Sequence, residues 1–186
     1  MLTLASYLIP TSGFYFFGEQ MRPYLALINS MKNSLDNARA RNSDQWIIDL
    51  SSAYLTQLQQ AYAENRGMTG SIPACSLTFE NEPARDANGN LAAYPKPLII
   101  LTDEFSISAA DIFPAMMQDN RRGAIVGMRT SGGGGSVSAW PLFYSEATVR
   151  NTNSLVVRKE AIVTPDLPAA PYVENIGVRP DIELDY

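Results

Sequence analysis

The chain has 186 residues, 46% of them hydrophobic and 18% charged, enough for one domain with a sizeable core. A formal charge of -5 gives no basic footprint for nucleic acid, and no run of like charges marks a polyanion or membrane-surface site. One cysteine, Cys75, and no histidine exclude an intrachain disulfide and leave nothing from which to build a common zinc site, so no metal or cofactor is expected.

The first 17 residues, MLTLASYLIPTSGFYFF, carry no charge. They fall short of the roughly 20 apolar residues of a spanning helix, and Pro10, Ser12 and Gly13 interrupt them. No basic start marks a signal peptide. Residues 2–9 therefore read as a buried strand closed by a Thr-Ser-Gly turn. So abrupt a start in core-like sequence reads as a piece of a longer protein whose N-terminal part is absent.

From Glu19 to about Arg41, apolar residues recur at three- and four-residue steps (Met21, Leu25, Ile28, Met31, Leu35, Ala38), which predicts an amphipathic helix. DQWIIDL, 44–50, reads as a short buried strand. A second helix is expected over 53–65, stopping at Gly67. Residues 68–97 hold Pro73, Pro83, Pro95, Pro97 and the turn DANGN, and read as a long surface excursion within a single domain spanning 1–186.

PLIILT, 97–102, is an apolar run expected to be a central strand. Ala109 to about Asp119 reads as a helix with Pro114 awkwardly inside it, and GAIVG, 123–127, as another strand. Strand, helix, strand in 30 residues makes a parallel crossover unit, so the class is α/β. SGGGGS, 131–136, reads as a flexible loop. It lacks the Lys-Ser/Thr of a phosphate-binding loop. LVVRKEAIV, 155–163, reads as a strand, and the last 13 residues as a turn plus a short strand. Trp46 and Trp140 read as core aromatics, and Lys159 as a solvated strand residue.

Two serines, Ser106 and Ser108, fall at the strand-to-helix junction. Such a junction exposes a serine at a sheet edge and turns unpaired N–H groups of the helix towards it, which suits a nucleophile. The same pattern suits a plain N-cap, with Asp111 three residues on, worth about 1 kcal/mol. Local pattern leaves both open.

The stretch LIILTDEFSISAADIFPAMMQDNRRGAIVGMRTSGGG resembles the active-site segment of the C-terminal-processing (tail-specific) and tricorn-type serine peptidases. The matching residues are Ser108-Ala109-Ala110-Asp111, Gln118-Asp119, Arg122, Ile125-Val126-Gly127 and Thr130, with GVRPDIEL near the end. The resemblance implies Ser108 as nucleophile, the Ala109 N–H as an oxyanion donor, and a ClpP/crotonase-like spiral of strand-strand-helix units. It implies a peptide or protein substrate, is compatible with a homo-oligomer, and makes a periplasmic or secreted location the expectation.

Three departures qualify this. Gly133 stands where the processing branch has its lysine base, which rules out a Ser–Lys dyad of the usual layout. ENIGVRPD, 174–181, instead resembles the segment of the Ser-His-Glu tricorn branch that bears its glutamate, so Glu174 would be the orienting carboxylate. The histidine would then come from outside this chain. Finally, WIIDL continues into SSAYLTQ rather than into the glycine pair that supplies the second oxyanion donor. The expected function is a serine-type peptidase core whose histidine lies elsewhere. The alternative is a non-catalytic, peptide-binding or scaffold relative, with an acyl-CoA enzyme of crotonase type as a third and weaker reading.

Overall fold

The structure is a computed structural model, and it describes residues 1–162 and 169–184. In chain order the elements are helix α1 (Leu2–Leu8), strands β1 (Phe14–Tyr15) and β2 (Gly18–Met21), helices α2 (Leu25–Ala40) and α3 (Gln45–Ala63), and strands β3 (Ile72–Pro73), β4 (Glu80–Asn81) and β5 (Ile99–Thr102). Helix α4 (Ala109–Asp119) follows, then β6 (Ala124–Gly127), β7 (Val137–Pro141), β8 (Thr148–Thr152), β9 (Ser154–Ile162), β10 (Ala170–Tyr172) and β11 (Ile182–Glu183).

Among the described residues the strands form four small sheets. One is antiparallel, in the order β10-β9-β2-β3, and one is parallel, β11-β6-β5. The other two are the antiparallel pairs β1-β4 and β7-β8. This is an α/β fold with mixed sheets, and none of them is closed or strongly curled. The expected ClpP/crotonase-like spiral is therefore overturned. A spiral needs the strand-strand-helix unit to recur, whereas here β5-α4-β6 is the parallel crossover, and the ladders of β2 with β9 and of β7 with β8 are antiparallel.

The N-terminal segment is a helix rather than the expected strand. Ala5 and Ile9, four residues apart, are buried on one face, while Leu4 and Tyr7 face outward. The carbonyls at its C-terminal end are taken up by other parts of the chain. Ser6 O accepts from the Ala84 N–H (2.7 Å), Tyr7 O from the Tyr94 N–H (2.8 Å), and Leu8 O from the Arg122 guanidinium. Those long-range partners are what a reading of local apolarity misses.

The segment 44–50 is also helical, from Gln45 on, with Asp44 as its N-cap. Ile47, Leu50, Tyr54, Leu58 and Ala61 continue one spacing of three and four residues, so the expected strand and the expected second helix are a single element. Asn65, at φ 52°, supplies the left-handed stop, two residues before Gly67. The helix expected from Glu19 starts only at Leu25, because Gly18–Met21 pair with β9 as β2 and Pro23 intervenes. Helices α2 and α3 enclose a cluster of Met21, Ile28, Tyr54, Leu58 and Ile72.

A second cluster joins Ile9, Phe14 and Phe16 to Met116 and Met117 of α4 and to Ile125, Val156 and Val178. Here α4 lies against β9, and the buried pair Arg158–Asp119 (2.6 Å) fixes their contact, with side chains only 5% and 8% exposed. Arg158 also donates to Gln118 Oε1 at 3.0 Å, and the Lys159 N–H to Asp119 Oδ2 at 3.2 Å. Helix α4 carries Pro114 as its sixth residue without ending, at the cost of one backbone donor.

Strand β5 is an edge strand, not a central one. It pairs with β6 on one side, and Ile99 and Leu101 are 69% and 76% exposed. Trp46 and Trp140, expected in the core, are 48% and 41% exposed. Trp140 belongs to the β7-β8 hairpin and meets Tyr24, whereas Trp46 opens onto a cavity described below. Residues 155–162 are strand as expected, and Val163 lies outside the described residues.

Candidate active site around Ser108

Between β5 and α4 the chain turns within six residues. Asp103 Oδ1 accepts the Ser106 hydroxyl at 2.8 Å, and the Asp103 N–H reaches Ser106 Oγ at 3.2 Å. The carbonyl of Ser106 in turn accepts the Ser131 N–H at 2.9 Å. Ser106 thus builds the turn and ties it to the segment after β6.

Ser108 sits immediately before α4 at φ 61°, ψ −114°. An N-cap residue ordinarily lies in the β region, from which its side chain reaches back over the first turn. A non-glycine residue in Ser108's conformation is strained by roughly 1–3 kcal/mol, and strain of that kind collects where a side chain has to be presented. Ser108 and Ala109 are both exposed. Ala109 is the first residue of α4, and its N–H has no hydrogen-bond acceptor among the described residues.

Asp111 holds this conformation. It is fully buried, and its carboxylate accepts three backbone N–H groups, from Ser108, Gly132 and Gly133, each at 2.8 Å. The N3 carboxylate expected to cap a helix therefore also pins the glycine run against the serine.

That run is packed, which corrects its reading as a flexible loop. A Cβ on Gly133 would lie 2.6 Å from Ile107 Cγ1, and one on Gly134 would lie 2.4 Å from Val173 Cβ. On Gly135 it would meet Ser154 O at 2.1 Å. The carbonyl of Gly132, a residue at φ 84°, accepts the Asn175 N–H at 2.8 Å. These positions demand glycine by contact rather than for mobility.

Ser108 opens onto a cavity of about 880 Å³. Phe17, Trp46, Ile47, Leu50 and Tyr54 form its apolar wall, with Glu19, Ser136, Gly133 and Gly135 on the polar side. Burial first, and the charges of Glu19 and Cys75 after it, push the Tyr54 hydroxyl well above the ordinary tyrosine range. It stays protonated and donates to Pro73 O at 3.0 Å. The helical wall was invisible while 44–50 read as a strand. The signal was Trp46, Leu50 and Tyr54, four residues apart on one helix face.

Glu174 lies elsewhere. Its Oε1 accepts the Thr152 hydroxyl at 2.8 Å, and it lines a second cavity of about 550 Å³ with Arg22, Asn153 and Asn175. Ser108 and Glu174 line different cavities, and the glycine run touches both. Gly133 and Gly135 border the serine's cavity, and a Cβ on Gly134 would lie 2.9 Å from the Glu174 nitrogen.

The remaining motif residues are braces. Gln118 Nε2 donates to Arg179 O (3.1 Å) and Asp181 Oδ1 (3.0 Å), and Asp181 Oδ2 accepts the Ile125 N–H (2.8 Å). Arg122 reaches the carbonyls of Tyr94 and Lys96 at 2.7 and 2.8 Å, besides that of Leu8. Lys159 is exposed, as expected.

Comparison with known proteins identifies the fold and the family. An uncharacterized protein of Chlamydia muridarum is 33% identical over 170 residues, covering 86% of this chain and 26% of that protein. The chloroplastic C-terminal processing peptidase of Tetradesmus obliquus is 29% identical over 112 residues, covering 59% of this chain and 22% of the peptidase. This chain thus spans about a quarter of the length of these relatives. Among solved structures, mature CPAF superposes with a TM-score of 0.71 at 24% identity, over 98% of this chain and 35% of CPAF. Its complex with lactacystin gives 0.72 at the same identity. These two likenesses establish the fold. The profile of peptidase family S41 matches residues 26–184, and the chain belongs to that family.

Proposed function

We propose that the chain is the nucleophile-bearing part of a serine peptidase of the tricorn-like, Ser-His-Glu kind. In this reading Ser108 attacks the scissile carbonyl and the Ala109 N–H donates to the oxyanion. Glu174 orients a histidine supplied from outside these 186 residues. The observation that carries the reading is the backbone of Ser108, a strained, exposed serine locked by a buried carboxylate ahead of a helix N-terminus. A serine serving only as a cap would need none of that strain. The base takes the Ser108 hydroxyl proton as the oxygen attacks, and returns it to the leaving amine. The carboxylate that holds such a histidine also stabilises its cationic form. The substrate is a peptide or protein chain, and the location is extracytoplasmic by analogy with the family.

The second reading is a non-catalytic relative that binds peptides or acts as a scaffold. It is favoured by Gly133 at the lysine position, by the absence of histidine, and by helix α3 where a glycine-bearing loop was expected. Treating the full-length gene product with a fluorophosphonate decides between them. Covalent labelling at Ser108, lost in Ser108→Ala, is the expected result. A fully folded protein whose Ser108 stays unlabelled leaves the scaffold.

A further inference from the structure

The cavity onto which Ser108 opens carries one charged side chain among the described residues, and it is Glu19 rather than Glu174. Glu19 sits on β2, opposite Ile72 on one side and Val156 on the other. Its Oε1 accepts the Ser136 hydroxyl at 3.1 Å, next to the glycine run that packs on Ser108. Among the described residues no lysine or arginine pairs with it. Glu19 is half-buried, and with a hydroxyl as its one side-chain partner among the described residues its charge is left to be met by a cation from outside. Its complement is a cation on a long apolar stem, which lies along hydrocarbon and aromatic rings while its head meets the carboxylate. Phe17, Trp46 and Tyr54 supply the rings, and Ile47 and Leu50 the aliphatic surface.

We propose that this cavity is a recognition pocket for a basic side chain, lysine or arginine, of a bound peptide, with Glu19 as its counter-ion. A volume of about 880 Å³ takes such a side chain together with part of the adjoining backbone. The proposal rests on the reading of Ser108 as nucleophile only for where the cleaved bond lies. Binding of the cation does not depend on it.

Cys75 gives a direct readout, because it is exposed and lines the same cavity, and its alkylation in the full-length gene product is followed on its own peptide by mass spectrometry. The rate of its alkylation by N-ethylmaleimide is measured against rising benzamidine, and against benzamide, a neutral molecule of nearly the same shape. Benzamidine is expected to slow alkylation saturably, with benzamide at least about tenfold weaker, since the charge-assisted contact is missing. In Glu19→Gln that preference disappears. Equal protection by the two ligands, protection by neither, or a preference that survives in Glu19→Gln overturns the proposal. The ligand comparison holds even where the variant folds poorly. Fluorophosphonate labelling separates this idea from the peptidase reading. In the full-length gene product, protection of Cys75 without labelling of Ser108 supports the pocket and removes the nucleophile, whereas labelling without protection removes the pocket alone.

Discussion

The Asp111 carboxylate accepts the backbone N–H of Ser108 at 2.8 Å while Asp111 itself is fully buried. The contact joins the strained residue to the first turn of α4, and the same carboxylate reaches Gly132 and Gly133. Asparagine at 111 keeps the size but turns an NH2 towards donors it cannot satisfy. Asp111→Asn is therefore expected to lose roughly 1–3 kcal/mol, the cost of leaving buried donors unpaired. Urea unfolding measures this. Hydrogen exchange should quicken at Ser108, Gly132 and Gly133 before it does in the body of α4.

The glycine run yields a sharper expectation. Gly134→Ala places a methyl group 2.4 Å from Val173 Cβ, and overpacking of this kind costs about 1–3 kcal/mol. Thermal unfolding of that variant, set beside Gly89→Ala, tests it. Gly89 has open space around it, so any loss there reflects its φ of 83° rather than a clash. Gly133→Lys, which restores the lysine of the processing branch, brings its Cβ to 2.6 Å from Ile107 and is expected to destabilise without producing a working dyad.

Arg158 and Asp119 join β9 to α4 almost out of contact with water. Removing one partner strands the other charge, so Asp119→Ala is expected to lose about 3–5 kcal/mol. Replacing both with apolar residues of similar size should recover most of that loss. Chemical denaturation of the single and double variants reads the difference. A single variant as stable as the parent contradicts the geometry.

Tyr15 responds to alkaline pH. Burial, and then the nearby Asp119 charge, push its hydroxyl from 10.0 up to about 12. A folded-state value above the unfolded one means the stabilisation is complete below pH 10 and fades as pH rises towards 12. Stability followed between pH 9 and 12 should fall less steeply in Tyr15→Phe, which has no hydroxyl to ionise. The same slope in both proteins would assign the alkaline loss to other groups.

What the sequence revealed depended on the range of the interactions involved. Helix α4 was legible to the residue because its start is set by local chemistry, Ser108 followed by Asp111. Strand β9 was equally plain from its β-branched run. The misreadings cluster where distant partners decide. Leu2–Leu8 is held as a helix with Ala84, Tyr94 and Arg122 donating to the carbonyls of its last turn. The strand expected at 44–50 came from a window too short to show that its apolar spacing runs on to Ala61. At the site, Ser108 could be singled out from its neighbours in sequence. Glu19 could not, since only the pairing of β2 with β9 brings residue 19 beside residue 136.

The outer position of β5 among the described strands bears on how the chain behaves in solution. Among the described residues Ile99 and Leu101 lie on the outer strand of their sheet and are exposed, and no charged residue falls within Ile99–Thr102 to discourage a neighbour. Such an edge templates further strands, so the chain is expected to precipitate more readily as concentration rises. Leu101→Lys puts a charge in the middle of that edge and should raise the concentration at which light scattering sets in. The short apolar strand that leads the chain to its candidate nucleophile is thus also a point of colloidal weakness.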